Sequence, residues 1–424
     1  MLLLKLAAKS LFNRKASALL TLFTIAISVM LLMSIERVRI DAKSSFSNTI
    51  SGTDLIVGAR TGDIQLLLSS VFRIGHANNG VSWQSYQYIA KQRGVSWSIP
   101  LSLGDSHKGL VVLGTNKDYF THYRFGKKQP LSFANGHEFN HLFDVVLGAD
   151  VAKSLGYQLG DKVVIAHGMG NTSFHNHDDN PFTVVGILQA TGTPVDKTLH
   201  IPLAAIDEIH GGHNHQHEKA NDHDHDHDHD QHDAVDLIGT PKQITAFLLG
   251  FDSPLYTLQV RRNINQYKDE ALLAIMPGVT LRELWEMLSI VEKILLLFSI
   301  VVVIISLLGM LTSLLSSLNQ RRRELAILRS VGARPWHIFT LISAESLLIT
   351  GLGCLVGVAL FYGLMLFGAG YLQSHAGISL NIALLSAYEL MLLAAIMFAG
   401  FIVGLIPATR AYFYSLADGM SIKI

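Results

Sequence analysis

A chain of 424 residues that is 49 % hydrophobic and only 16 % charged carries too few charges for a soluble protein, where roughly a quarter of residues are ionisable. Its 33 basic and 33 acidic residues balance, so it lacks the cationic excess with which nucleic-acid binders hold phosphates, and no nucleic-acid partner is expected. One cysteine, Cys354, set in an apolar run, excludes a disulfide framework or a cysteine-based metal site within one chain.

Residues 1–15 form a basic segment with Lys5, Lys9, Arg14 and Lys15, and residues 16–35 follow without a charge. At about 1.5 Å per residue, a helix of that length crosses a hydrocarbon core of roughly 30 Å, so this is the first predicted transmembrane helix. A basic segment before an apolar run also describes a signal peptide. The run is long, however, and no A-x-A-like cleavage site follows it, so an uncleaved anchor is predicted.

Residues 36–293 are long enough for a core of their own. Alternating or fully apolar runs predict strands at Asp54–Val57, Leu110–Leu113, Asp144–Leu147, Lys162–Ala166, Thr183–Leu188 and Ile244–Gly250. Helical spacing predicts helices at Gln84–Lys91, Ala149–Leu155 and Asn265–Ile275, which together make an α+β domain. Residues 210–233 differ in kind: they alternate His with Asp, have almost no apolar side chain and are predicted to form a disordered loop. His-x-His spacing sets several imidazoles on one side of an extended chain, with carboxylates between them. His210, His213, His215, His217, His223, His225, His227, His229 and His232 are therefore candidate ligands for zinc, or for another divalent transition metal such as copper or nickel. Raw affinity favours copper, which leaves the physiological metal open, and a soluble spacer is the plainer reading of the loop. His175 and His177 with Asp178 form a weaker cluster, better matched to a polar hairpin tip. Thr280–Lys293 contains no Gly or Pro and leads into the next apolar run, so one long helix is predicted to leave the membrane there.

Residues 294–318, 338–366 and 390–406 meet the same length rule and complete a one-plus-three arrangement of four transmembrane helices. Segment 319–337 carries Arg321, Arg322, Arg323, Arg329 and Arg334, whereas the outer loop 367–389 has no Lys or Arg. The excess of positive charge marks 319–337 as cytoplasmic, which puts 1–15 and 407–424 in the cytoplasm and 36–293 outside it. Around the first helix the count is nearly even, because Arg37, Arg39 and Lys43 follow it, and it decides little alone. Glu345 falls roughly 16 Å along the third helix, where a carboxylate costs on the order of 3 kcal/mol unless paired or protonated. With no second ionisable residue inside the neighbouring spans, an interhelical hydrogen bond is favoured over a proton relay. Gly353 with Gly357, and Gly400 with Gly404, are small-xxx-small pairs suited to packing the third helix on the fourth, or across a dimer. The sequence contains no G-x-x-x-x-G-K-[ST], so ATP is expected to be handled by another chain.

Ala7-Ala8-Lys9-Ser10-Leu11-Phe12-Asn13-Arg14-Lys15, the run from Arg321 to Ala333 and the terminal Gly404-Leu405-Ile406-Pro407-Ala408-Thr409-Arg410-Ala411 resemble the permeases of the MacB, LolC and FtsX superfamily, or type VII ABC transporters. Val146-Leu147-Gly148-Ala149, Leu159-Gly160-Asp161-Lys162-Val163 and Phe182-Thr183-Val184-Val185-Gly186-Ile187 resemble their outer domain. Each motif alone is weak; their order and spacing are specific. The resemblance implies a dimer, with a second permease copy or paralogue, driven by a cytoplasmic ABC ATPase in the bacterial inner membrane. It also implies that the ATP cycle reaches the outer domain as mechanical motion, with a periplasmic or outer-membrane partner beyond it. MacB itself carries its ATPase in the same chain and FtsX has a much smaller outer domain, so this pattern is nearer the stand-alone MacB-like and LolC-like permeases.

On this resemblance the segment from Arg321 to Gly332 is the expected ATPase-coupling helix. Leu325, Leu328 and Val331 recur at i, i+3 and i+6, and Arg321, Arg322, Arg323, Glu324 and Arg329 offer polar contacts. An ordinary basic loop on lipid headgroups is the plainer reading. Two functions compete: a mechanotransmitting permease for lipoprotein, peptide or similar cargo, and a metal permease fed by the histidine loop. Residues 16–35, 294–318 and 390–406 contain no His, Asp or Glu to pass an ion, which favours the first. A metal-linked version, in which the machine supports zinc acquisition, keeps both observations. A hydrolase lacks support, because no G-x-S-x-G is present.

If the loop is a chelator outside the core, deleting Gly211 to Asp233 removes most bound zinc and leaves metal-free thermal unfolding unchanged. Zinc affinity of the intact chain is expected to fall steeply below about pH 6.5, where protons compete for imidazole. Full zinc stoichiometry after deletion would place the metal elsewhere.

Overall fold

The computed structural model describes residues 15–75, 79–167, 181–211, 237–376 and 384–413. The chain divides into a unit of Met1–Ala42 with Leu288–Ile424, and a second unit of Lys43–Met287.

Among the described residues, four helices are long and apolar enough to cross a membrane: α1 (Lys15–Thr49), α8 (Pro277–Gln320), α10 (Pro335–Ala376) and α11 (Ala387–Phe413). The short α9 (Arg322–Ser330) joins α8 to α10. Thr280–Lys293 lies inside α8, which runs unbroken. On α1, Leu19, Leu20 and Phe23 are exposed, while Ile25, Val29 and Met33 are buried with Met310, Phe361 and Ile396. In lipid such helices gain nothing from leaving water, so close packing and interhelical hydrogen bonds hold them together. A Cβ on Gly400 or Gly404 of α11 would lie 2.5 Å from Thr350 Oγ1 or 2.1 Å from Ser346 Oγ of α10, so only glycine allows that approach. Gly353 and Gly357 differ from expectation: they pack α10 on α1, where added Cβ atoms would lie 2.7 Å from Ile25 and Val29. Hydroxyls add to this packing. Ser28 Oγ and Ser306 Oγ are 2.6 Å apart between α1 and α8, and Ser346 Oγ donates to the Gly400 carbonyl at 2.9 Å.

The second unit is α+β. Its strands are β1 (Leu55–Ala59), β2 (Val81–Ser82), β3 (Val95–His107), β4 (Leu110–Thr115), β5 (Arg124–Phe125), β6 (Gln129–Pro130), β7 (Phe133–Gly136) and β8 (Asp144–Leu147). They continue as β9 (Lys162–Val163), β10 (Ala166–His167), β11 (Phe182–Leu188), β12 (Thr198–Pro202), β13 (Gln243–Ile244), β14 (Ala246–Phe251) and β15 (Leu272–Ile275). Helices α2 (Asp63–Ser70), α3 (Trp83–Ala90), α4 (Asp118–His122), α5 (Ala149–Leu155), α6 (Leu203–Gly211) and α7 (Pro254–Asn265) lie between them in sequence.

An 11-stranded sheet follows the order β15-β1-β14-β3-β4-β12-β8-β11-β7, with β10 on β3 and β9 on β11. Its pairs are antiparallel except β4 with β12 and β8 with β11. The long β3 joins the two halves: its first part pairs with β14 and its second with β4, and the register shifts between Leu103 and Ser106. Gly104 there has φ +153°, and such a shift bends and twists a strand.

The expected helix at Asn265–Ile275 is replaced by α7, which ends at Asn265, and by β15, which pairs with β1. Ser253 caps α7 by accepting from Leu255 N–H, Pro254 fits its first turn, and the buried Leu272, Ala274 and Ile275 fill an edge strand. The run Lys162–Ala166 also breaks, into β9 and β10.

His200 of β12 is fully buried, with Nδ1 3.3 Å from the Val146 carbonyl and its ring 5.1 Å from Tyr119 and 5.9 Å from Phe120. Burial, with a smaller effect from the Arg73 charge, lowers its pKa from 6.5 to about 3. As pH falls, the unfolded chain therefore takes up this proton before the folded one. Stability is intact above about pH 6.5 and declines towards pH 3 by on the order of 1 kcal/mol per pH unit. Hydrogen exchange of the Lys43–Met287 unit in the full-length His200→Leu variant is expected to show a shallower pH slope than the unaltered chain. Equal slopes would assign the acid sensitivity to another group.

Candidate functional site

The arginine-rich segment folds as α9. It starts without a side-chain cap, at Arg321, and closes where Val331 N–H donates to the Ile327 carbonyl. Gly332 then takes φ +104°, a left-handed turn that suits glycine, and α10 begins at Pro335. Leu325 turns inward, into a small core with Leu318, Ile338, Ile342, Ala408 and Ala411, and Ala326 is also buried. Ile327 and Val331, four positions apart, are 63 % and 84 % exposed, and Trp336 at the start of α10 is 62 % exposed. Arg329 Nη2 donates to the Tyr412 carbonyl at 2.8 Å, which satisfies a backbone acceptor near the end of α11 and sets a cation there.

The expected stripe of Leu325, Leu328 and Val331 is thus divided. Positions 325 and 331 are about 120° apart around a helix of 3.6 residues per turn, too wide for one docking face. Ile327, which the heptad-like spacing passed over, lies on the open side. The backbone of Arg322, Arg323, Glu324 and Leu328 belongs to α9, and their side chains lie outside the described residues.

Glu345 on α10 is 3 % exposed and pairs with Arg321, whose Nη1 lies 3.0 Å from Oε1. Leu314, Ser317, Leu318, Leu341 and Ile342 surround the pair. Counting ionisable residues within the spans missed this partner, because Arg321 stands one position past the end of α8 and its long side chain reaches back. Removing one member of such a pair costs about 3–5 kcal/mol, since a buried charge is left without compensation.

The same unit holds a second set of buried charges. Glu389 is wholly buried; its Oε1 is 3.7 Å from Arg37 Nε of α1. Glu389 Oε2 accepts from Ser386 N–H at 2.6 Å, and Ser386 Oγ accepts from Glu389 N–H at 3.2 Å, a reciprocal capping box at the start of α11. Arg39 contacts Glu36 at 2.7 Å and Glu292 of α8 at 3.7 Å. The arginines that left the charge count around the first helix near even are therefore engaged within the bundle.

No group of three or more metal-ligating side chains comes together among the described residues. His210 belongs to the last turn of α6. Its side chain, together with His213, His215, His217, His223, His225, His227, His229, His232, His175 and His177, lies outside the described residues.

Two family models match: a MacB-like periplasmic core domain over residues 18–224 and an FtsX-like permease C-terminal domain over residues 296–416. The macrolide export ATP-binding/permease protein MacB of Hyphomonas neptunium (strain ATCC 15444) is 30 % identical over 103 residues, which are 24 % of this chain. The match spans 15 % of that relative's length. Among solved structures, the periplasmic region of MacB from Actinobacillus actinomycetemcomitans is similar at 10 % identity and a TM-score of 0.35, covering 56 % of this chain and 94 % of that one. The extracellular domain of the noncanonic ABC-type transporter YknZ from Gram-positive bacteria is similar at 12 % identity and a TM-score of 0.30, covering 53 % and 98 %. The two family models meet the chain on either side of the start of the second membrane helix, in the one-plus-three order of apolar helices around an α+β unit. The chain is a multi-pass membrane protein and belongs to the MacB, LolC and FtsX superfamily of ABC-transporter permeases.

Proposed function

We propose that this permease works with a separate cytoplasmic ABC ATPase, in the bacterial inner membrane, and passes the ATP cycle to its extracytoplasmic domain as motion rather than passing a solute between its helices. Both termini are cytoplasmic in this reading, the assembly contains two permease copies or paralogues, and the cargo is a lipoprotein, a peptide or a similar envelope molecule. The observation that carries it is the exposed Ile327 and Val331, four positions apart on α9 and its C-cap, on a helix anchored from behind by Leu325. An exposed apolar patch beside arginines is what a docking helix offers a protein groove.

The alternative, a metal permease, needs ligands at depth. Residues 16–35, 294–318 and 390–406 supply no His, Asp or Glu, and Glu345 of the third helix is ion-paired. The histidine loop fits this reading as an accessory that links the machine to zinc supply.

The test uses the permease co-purified with its ATP-hydrolysing partner. Replacing both Ile327 and Val331 with Asp is expected to weaken partner binding by about 30-fold or more, as loss of a central contact does, and to abolish the permease's effect on ATP hydrolysis. Membrane insertion should be unchanged. Normal partner binding by the inserted double variant would contradict the docking role of α9.

A further inference from the structure

Arg321 takes part in three helices. It is the single residue between α8 and α9, with φ −100° and ψ 15°. Its N–H donates to the Ser317 carbonyl of α8 at 3.1 Å, and its own carbonyl accepts from Leu325 N–H of α9 at 3.0 Å. Its guanidinium reaches α10, with Nη1 3.0 Å from Glu345 Oε1. The Glu345 side chain is 4 % exposed and faces Leu314, Leu318, Leu341 and Ile342.

We propose that Arg321 and Glu345 are the positioning pair through which displacement of α9 is carried into the third membrane helix. This inference rests on the docking role given to α9 above. Contacts of Leu325 with Ile338 and Ile342 also connect these elements, but apolar contact is non-directional and tolerates sliding. An ion pair in an apolar surround is directional and opposes separation of its members. The joint between α8 and α9 therefore cannot shift without drawing α10 with it, or breaking the pair. Neither residue contacts nucleotide or cargo; each acts by keeping the joint and the third helix in register.

The experiment uses the intact permease with its co-purified ATPase in lipid nanodiscs, and follows the effect of ATP on amide exchange in α9 and α10. In the unaltered complex both helices respond. In Glu345→Gln and in Arg321→Gln the α9 response is expected to persist, while the α10 response drops by about fivefold or more. Glu345→Asp, which keeps the charge, and the reversed pair of Arg321→Glu with Glu345→Arg are expected to recover it. An unaltered α10 response in both single variants overturns the proposal. So does a loss that neither Glu345→Asp nor the reversed pair restores and that tracks lowered thermal stability, because a merely structural contact behaves in that way. If ATP alters neither helix in the unaltered complex, the docking role of α9 falls and this inference falls with it.

Discussion

Taking a charged side chain out of water and into a helical bundle is costly, and the arrangement of the membrane unit follows from how that cost is met. Glu36, Arg37, Glu345 and Glu389 are each no more than 5 % exposed, and each faces an opposite charge. One set joins α8 to α10 through Arg321; the other joins α1 to α8 and α11 through Arg39 and Arg37. Glycines and hydroxyls carry the remaining interhelical packing, at Gly353, Gly357, Gly400 and Gly404 and between Ser28 and Ser306.

The α+β unit meets a different demand. Its 11-stranded sheet is held by a backbone ladder along nearly its whole path, and buried clusters around Ile56 and Leu248, Val145 and Leu199, and Leu55 and Phe247 fill the space against its helices. Local opening of such a structure is expensive. Its weak point is acid: His200 must enter the core neutral.

Much of this architecture was legible in the sequence because it depends on local pattern. Apolar length alone marks the membrane helices, and fully apolar runs such as Asp144–Leu147 mark buried strands. α7 was legible too, in the Ser253-Pro254 start that the apolar spacing obscured, and so was the Ser386-x-x-Glu389 capping box. The ion pairs were not. Arg321 and Glu345 are separated by 24 positions, and Arg37 lies far from Glu389 in sequence; no periodicity announces which arginine folds inward. The division of α9 into a buried Leu325 and an exposed Ile327 also depends on neighbours contributed by α8, α10 and α11.

The proposed coupling requires α9 on the cytoplasmic side, where an ATPase can reach it, and residues 36–293 outside it. Single cysteines at two exposed positions, Asn140 and Ser330, in a Cys354→Ala background test this with a membrane-impermeant maleimide on intact cells. Labelling of Asn140→Cys from outside, with Ser330→Cys reacting only after the membrane is opened, is the expected result. Labelling of Ser330→Cys on intact cells would contradict the orientation, and with it the coupling of α9 to a cytoplasmic ATPase.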